Sequence, residues 1–123
     1  MFESDEAFVN ALQSHIGSAL QTVASRRNGR YDVLYTRNDV TGRFTPADFD
    51  RLHDESLLAD TSRENTENVF RAGSLNFAIY TFDTAVIVQF SQTSGSLFVG
   101  FDNDDVPILP VVELCSEWSQ TRK

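Results

Sequence analysis

The stretch Leu75–Phe101, LNFAIYTFDTAVIVQFSQTSGSLFVGF, holds most of the β-forming and aromatic residues of the chain, and its reading decides the fold. Two turn signals divide it: Asp83-Thr84 after Phe82, and the polar run Ser91–Ser96 that contains Gly95. Three strands of ordinary length result, joined by hairpins into an antiparallel meander. Side chains alternate across a strand, so Val86 and Val88 face one way and Ala85, Ile87 and Gln89 the other. In the last strand Leu97, Val99 and Phe101 oppose Phe98. A sheet that is apolar on both faces has to be covered on both, by its own helices or by a partner.

Upstream, Ser4 or Asp5 is a helix N-cap, and Phe8, Ala11, Leu12, His15, Ile16, Ala19, Leu20 and Val23 recur at helical spacing. The pattern predicts one long amphipathic helix. Arg26 and Arg27 suit the dipole of its last turn, and Asn28-Gly29 supplies a left-handed residue to stop it. That role accounts for the basic cluster Arg26, Arg27 and Arg30 without an anionic ligand. Tyr31–Arg37 reads as a strand, with Tyr31, Val33 and Tyr35 on one side and Asp32, Leu34 and Thr36 on the other. Thr45-Pro46-Ala47-Asp48 starts a second helix, whose inner side carries Phe49, Leu52 and Leu57 or Leu58. The polar segment Asp60–Asn68 is a loop or a further helical piece.

Beyond Phe101, Asp102-Asn103-Asp104-Asp105 marks a turn and Pro107 and Pro110 forbid a strand. Val111, Leu114, Cys115 and Trp118 form the apolar stripe of a short closing helix. The expected architecture is a single α+β domain over residues 1–123. Its antiparallel sheet, the three-stranded C-terminal meander plus one N-terminal strand, packs with a long N-terminal helix, a middle helix and a short C-terminal helix.

A chain of 123 residues can bury a core without a metal or disulfide staple. With 18 acidic and 10 basic residues the formal charge is −8, which opposes non-specific binding to nucleic acid or to an anionic membrane. Asp outnumbers Glu, and Lys123 is the single lysine against a background of arginine. Such a surface suits a salt-filled cytoplasm, where a Debye length of about 3 Å at molar salt screens the self-repulsion of an acidic shell. Cys115 stands alone, so an intrachain disulfide and any multi-cysteine metal motif are excluded, and it reads as a small core residue. MFESDEAF carries acids where a secretory signal would carry cations, and no apolar run reaches the roughly 18 residues of a membrane span. The expectation is a cytoplasmic protein.

The segments YDVLYTRNDV (31–40), TPADFDRL (45–52), Ala72-Gly73-Ser74-Leu75 and NFAIYTFDTAVIVQF (76–90) resemble a family of small acidic haloarchaeal proteins of unknown function. The likeness runs from about Leu12 to Phe101 and is carried by pattern rather than by a catalytic signature. It implies a salt-adapted cytoplasmic archaeal protein and transfers no site. The order of elements also resembles roadblock and longin-type domains, which are dimerising scaffold modules. Against the roadblock pattern one strand is missing between Tyr35 and Pro46, unless Asn38–Phe44 supplies it.

Chemistry-bearing groups are sparse. Asp102, Asp104 and Asp105 lack the glycine and distal glutamate of a calcium loop and read as a solvated turn. His15 and His53 have no metal-ligand spacing and read as core or boundary residues. Ser91, Ser94, Gly95 and Ser96 form neither a nucleophile elbow nor a phosphate loop. Tyr31, Tyr35, Phe77, Tyr80, Phe82 and Phe98 are the candidate interaction surface or pocket, with tyrosine tips at the rim. The ten phenylalanines exceed what three helices need to seat, which favours a partner. The sequence therefore points to a non-enzymatic interaction or scaffold module, self-associating as a homodimer or binding another protein. No cofactor, nucleic acid or membrane is implied; the alternative is a small-molecule sensing domain with an aromatic-lined pocket.

Overall fold

In the computed structural model the first helix stops at Gly17, whose φ of 55° lies in the region that favours glycine, and the chain is in a strand by Leu20. Helix α1 (Asp5–Ile16) begins on Ser4, whose Oγ accepts from the Ala7 amide at 3.1 Å. Strand β1 (Leu20–Arg27) occupies the segment expected to continue the helix. The reason is a β-bulge: against the last strand Leu20 lies opposite Phe101 and Thr22 opposite Gly100, so Gln21 is an extra residue. The bulge puts Leu20 and Val23 on one face although they are three residues apart, and three is also a helical spacing. Arg26 and Arg27 accordingly end a strand, opposite Tyr31 and Arg30, rather than capping a helix. Gly29, at φ 84°, serves the turn between them.

The remaining elements are β2 (Arg30–Thr36), α2 (Pro46–Glu55), α3 (Asp60–Phe70), β3 (Phe77–Thr81), β4 (Ala85–Gln92), β5 (Gly95–Asp102) and α4 (Ile108–Thr121). The structure describes residues 4–27, 29–43, 45–56, 58–92, 95–103 and 107–121. The strands form one antiparallel five-stranded sheet in the order β2-β1-β5-β4-β3, with the expected C-terminal meander intact. Asn38–Val40, in the segment expected to supply a further strand, is a 3₁₀ turn, and the fifth strand is β1, upstream of β2; Phe44 lies outside the described residues. At 14 residues α4 is longer than the 12-residue α1, reversing the expected long and short helices. Pro110 falls in the first turn of α4, where a missing N–H leaves no bond unmade.

One face of the sheet is covered except along β3. Phe8 and Leu12 of α1 and Val111, Cys115 and Trp118 of α4 pack on Val23, Val88, Val99 and Phe101. The Phe8 and Trp118 rings meet at 6.1 Å. The second face carries a smaller cluster, in which Phe49 of α2 packs on Ala24, Tyr31 and Phe98, while α3 buries no residue. The sheet is thus apolar on both faces, as expected, but its own helices cover the second only in part.

Arg37, just past β2, closes the far end. It donates to both carboxylate oxygens of Asp102 at 2.7 and 3.0 Å, to Asp39 at 2.6 and 2.9 Å, and to the Ser18 carbonyl at 2.8 Å. Gln21, the bulge residue, donates to Asp102 as well, at 2.8 Å. Asp102 therefore ends β5 in a clamp rather than sitting in a solvated turn; Asp104 and Asp105 lie outside the described residues.

Candidate interaction surface

Helix α2 starts on a reciprocal cap: the Thr45 hydroxyl accepts from the Asp48 amide at 3.2 Å, and the Asp48 carboxylate accepts from the Thr45 amide at 2.9 Å. Those bonds hold the Asp48 carboxyl below the usual carboxylate range. With its start fixed, α2 turns Phe49 and His53, four residues apart, down onto the sheet and leaves Leu52 on its flank. The rings of Phe49 and Tyr31 lie 5.4 and 5.3 Å from that of Phe98. Tyr31 Oη lies 3.1 Å from His53 Nδ1, both buried. Burial pushes the Tyr31 hydroxyl well above its ordinary range, and burial with Arg26 nearby lowers the His53 imidazole. The tip of Tyr31 is thus interior rather than at a rim.

Beside this cluster Leu52, Tyr80, Phe82, Ile87, Gln89 and Phe98 line a half-open hollow of about 210 Å³. Glu55 stands in its lining, and the other polar side chains, Tyr80, Gln89 and Ser56, bond to one another in a chain. The Tyr80 hydroxyl donates to Gln89 Oε1 at 2.8 Å, Gln89 Nε2 donates to Ser56 Oγ at 2.9 Å, and that hydroxyl donates to the His53 carbonyl at 2.8 Å. Burial raises the Tyr80 hydroxyl. Walls of this kind offer contact area and little new hydrogen bonding, which suits an apolar occupant.

The six aromatic residues singled out in the sequence do not converge on one site. Tyr80, Phe82 and Phe98 share the hollow, and Tyr31 lies next to Phe98 under α2. Tyr35 sits opposite Val23 and packs with the first, covered face. Phe77 also faces that side, opposite Phe90, the two rings nearly parallel with centroids 6.3 Å apart.

Strand β3 ends the sheet and pairs on one side with β4. Its sequence, Phe-Ala-Ile-Tyr-Thr, has no charge and no proline, and its ladder with β4 runs without a register shift. Such an edge lacks the devices that discourage pairing with another chain. The opposite edge differs: Arg30 and Asp32 are exposed on β2, and the Tyr31 amide donates to Asp50 of α2 at 3.2 Å. The exposed large apolar residues are Leu52 (44%) on α2, Val69 (75%) and Phe70 (73%) at the end of α3, Phe77 (38%) and Ile79 (39%) on β3, Phe82 (57%) just past it, and Leu109 on α4. Phe8, Phe49, Phe90, Phe98 and Phe101 are buried, whereas Phe70, Phe77 and Phe82 come from the single stretch that leads into and out of β3.

Leu52, Val69, Phe70 and Ile79 were not among the sequence candidates. For Val69-Phe70 a signal existed: an apolar pair closes an otherwise polar helix. His15, placed in the apolar stripe by the sequence, is exposed and its Nδ1 lies 3.1 Å from the Ala11 carbonyl; His53 is the buried one. Cys115 is a core residue, its thiol pushed up to about 12 by burial. Among the described residues no three potential metal ligands cluster, and no helix is long and apolar enough to cross a membrane.

Comparison with known proteins agrees with this architecture. The family described as a domain of unknown function (DUF7522) matches residues 6–119. Among solved structures, MglB of Myxococcus xanthus, a roadblock/longin-fold protein, superposes with a TM-score of 0.63 at 13% sequence identity, covering 98% of this chain and 92% of that one. That likeness shows the fold. No protein of curated function matches the sequence.

Proposed function

We propose that this chain, which belongs to the DUF7522 family, is a non-enzymatic interaction module that self-associates through the free edge of β3. The roadblock/longin fold is typically a regulatory rather than an enzymatic module, and the fold likeness supports that class of role. The observation that carries the reading is an uncharged edge strand, unpaired on its outer side, with exposed apolar residues on it and just beyond it, Phe77, Ile79 and Phe82. A second copy is the occupant that fits. An antiparallel strand pairs with itself about a twofold axis, so one patch serves both partners and the two sheets become continuous. Pairing at β3 also brings a partner's apolar side chains to the hollow at Leu52, Tyr80 and Phe82. The acidic surface and the cytoplasmic, salt-adapted setting inferred from composition fit this role, since salt screens repulsion between two copies of charge −8.

Cysteine scanning tests the geometry. Phe77→Cys, Ile79→Cys and Thr81→Cys are each oxidised in turn, with Asp32→Cys on the β2 edge as control; buried Cys115 stays silent. Side chains facing each other across an antiparallel axis lie about 4.5–5.5 Å apart at Cβ, within disulfide reach after small adjustment. At least one β3 variant is expected to give a covalent dimer and Asp32→Cys none. A crosslink at Asp32→Cys alone, or none at β3, overturns the proposal.

The hollow gives the sensing alternative its specific support, because 210 Å³ lined by apolar walls accepts a small ligand as well as a side chain. Thermal stabilisation by an apolar compound, undiminished in a monomeric Ile79→Lys variant, would favour that reading.

A further inference from the structure

A row of polar side chains crosses the second face at the hairpin end of the sheet. Ser91 of β4 lies opposite Ser96 of β5, Ser96 opposite Arg26 of β1, and Arg26 opposite Tyr31 of β2. Directly opposed residues point to the same side of a sheet, so all four face α2 and α3. Between them and those helices is an open polar hollow of about 440 Å³, with His53 over the row and Asp60, Arg63 and Glu67 on its α3 side.

The hollow is supplied with donors. The Nε of Arg26 is buried with no hydrogen-bond partner. Ser91 and Ser96 are buried with their hydroxyls 3.0 Å apart, and the Ser96 hydroxyl also reaches that of Tyr31, so the row is a chain of hydroxyls that can reorient toward an incoming acceptor. A neutral His53 that accepts from Tyr31 at Nδ1 carries its proton on Nε2, making that nitrogen a donor as well. An orphaned guanidinium nitrogen is costly, and an oxyanion is the partner its fork geometry matches.

Charge balance selects among oxyanions. The Arg63 guanidinium already meets Glu67 at 3.4 Å, and Glu67 also accepts from the Leu75 amide at 2.6 Å. Arg26 takes part in no ion pair among the described residues. A single positive charge with no ion-pair partner among the described residues, and two carboxylates along the rim, matches a singly charged anion and disfavours a doubly charged phosphate. We propose that the Arg26–Ser91–Ser96 hollow binds the carboxylate of a small organic acid, with His53 as an accessory donor. This site lies away from the β3 edge and does not depend on self-association.

The direct test follows the Arg26 Nε–H and the Ser91 and Ser96 amides by nitrogen–proton correlation spectroscopy. Sodium acetate is titrated into the full chain, against sodium chloride and sodium phosphate at matched ionic strength. The expected result is a saturable shift of all three signals with acetate, at least tenfold tighter than with phosphate. The Ser91 and Ser96 amides are expected to stop responding in Arg26→Met, and the response to persist in monomeric Ile79→Lys. Should Arg26→Met not fold, Ser96→Ala is expected to weaken the acetate response of the Arg26 signal several-fold. A linear response equal to that with chloride overturns the site. Phosphate binding as tight as acetate overturns the choice of ligand.

Discussion

The hydroxyl of Tyr31 on β2 and Nδ1 of His53 on α2 lie 3.1 Å apart in the interior and tie that helix to the sheet. Both groups are held neutral by burial: the His53 imidazole is shifted down and the Tyr31 hydroxyl up. Below the ordinary histidine value of 6.5 the unfolded chain gains a proton at His53 before the folded chain does, so stability falls with falling pH from there toward the depressed folded value. Above the ordinary tyrosine value of 10.0 the unfolded chain loses the Tyr31 proton first, so stability falls again on the alkaline side. Denaturant melts across pH are expected to show both slopes. His53→Gln flattens the first between pH 6.5 and the carboxylate range, and Tyr31→Phe flattens the second and costs about 1–3 kcal/mol at neutral pH through the unpaired imidazole nitrogen.

A Cβ added at Gly100 would lie 2.9 Å from Ile87 Cδ1 and 3.1 Å from Thr22 Cγ2. Gly100→Ala is therefore expected to destabilise by about 1–3 kcal/mol, as overpacking does. Ile87→Val removes the closest methyl and is expected to restore part of that loss, leaving the Thr22 contact. Chemical denaturation of the two single variants and the double variant measures the coupling. Simple additivity would mean that Ile87 is not the obstacle.

Asp102 accepts from Arg37 and Gln21, and these bonds hold its carboxyl below the usual carboxylate range. The folded state therefore resists protonation at this position, and the stability it contributes is present above the ordinary Asp value of 3.8 and lost as pH falls below it. Asp102→Asn keeps the shape but not the charge. It is expected to cost about 1 kcal/mol at neutral pH, the pair being partly exposed, and to reduce the acid sensitivity measured by thermal melts between pH 4 and 2. Unchanged acid sensitivity would show that the clamp adds nothing.

Much of this arrangement was legible because local signals agreed with the tertiary demand. The meander, the Thr45-Pro46 helix start and the apolar stripe of α4 each rest on a pattern that one element type satisfies. Strand β1 was not legible, because the bulge at Gln21 gives Leu20 and Val23 a helical interval inside a strand. The same helical interval obscures the row Ser91–Ser96–Arg26–Tyr31, since four strands have to lie side by side before Arg26 is anything but a helix cap. The aromatic list caught Tyr80, Phe82 and Phe98 by composition, but which residues share a hollow depends on strand order, and Tyr35 and Phe77 proved to face the other way.

The mass of the protein in solution tests the central claim, association through β3, most directly. Light scattering at molar salt over a concentration series is expected to rise from 13.8 kDa toward twice that value. Ile79→Lys, which puts a charge at the centre of the edge strand, is expected to hold the single-chain mass at every concentration with an unchanged circular dichroism spectrum. A wild-type mass of 13.8 kDa throughout, or a dimer that survives Ile79→Lys, would contradict the account.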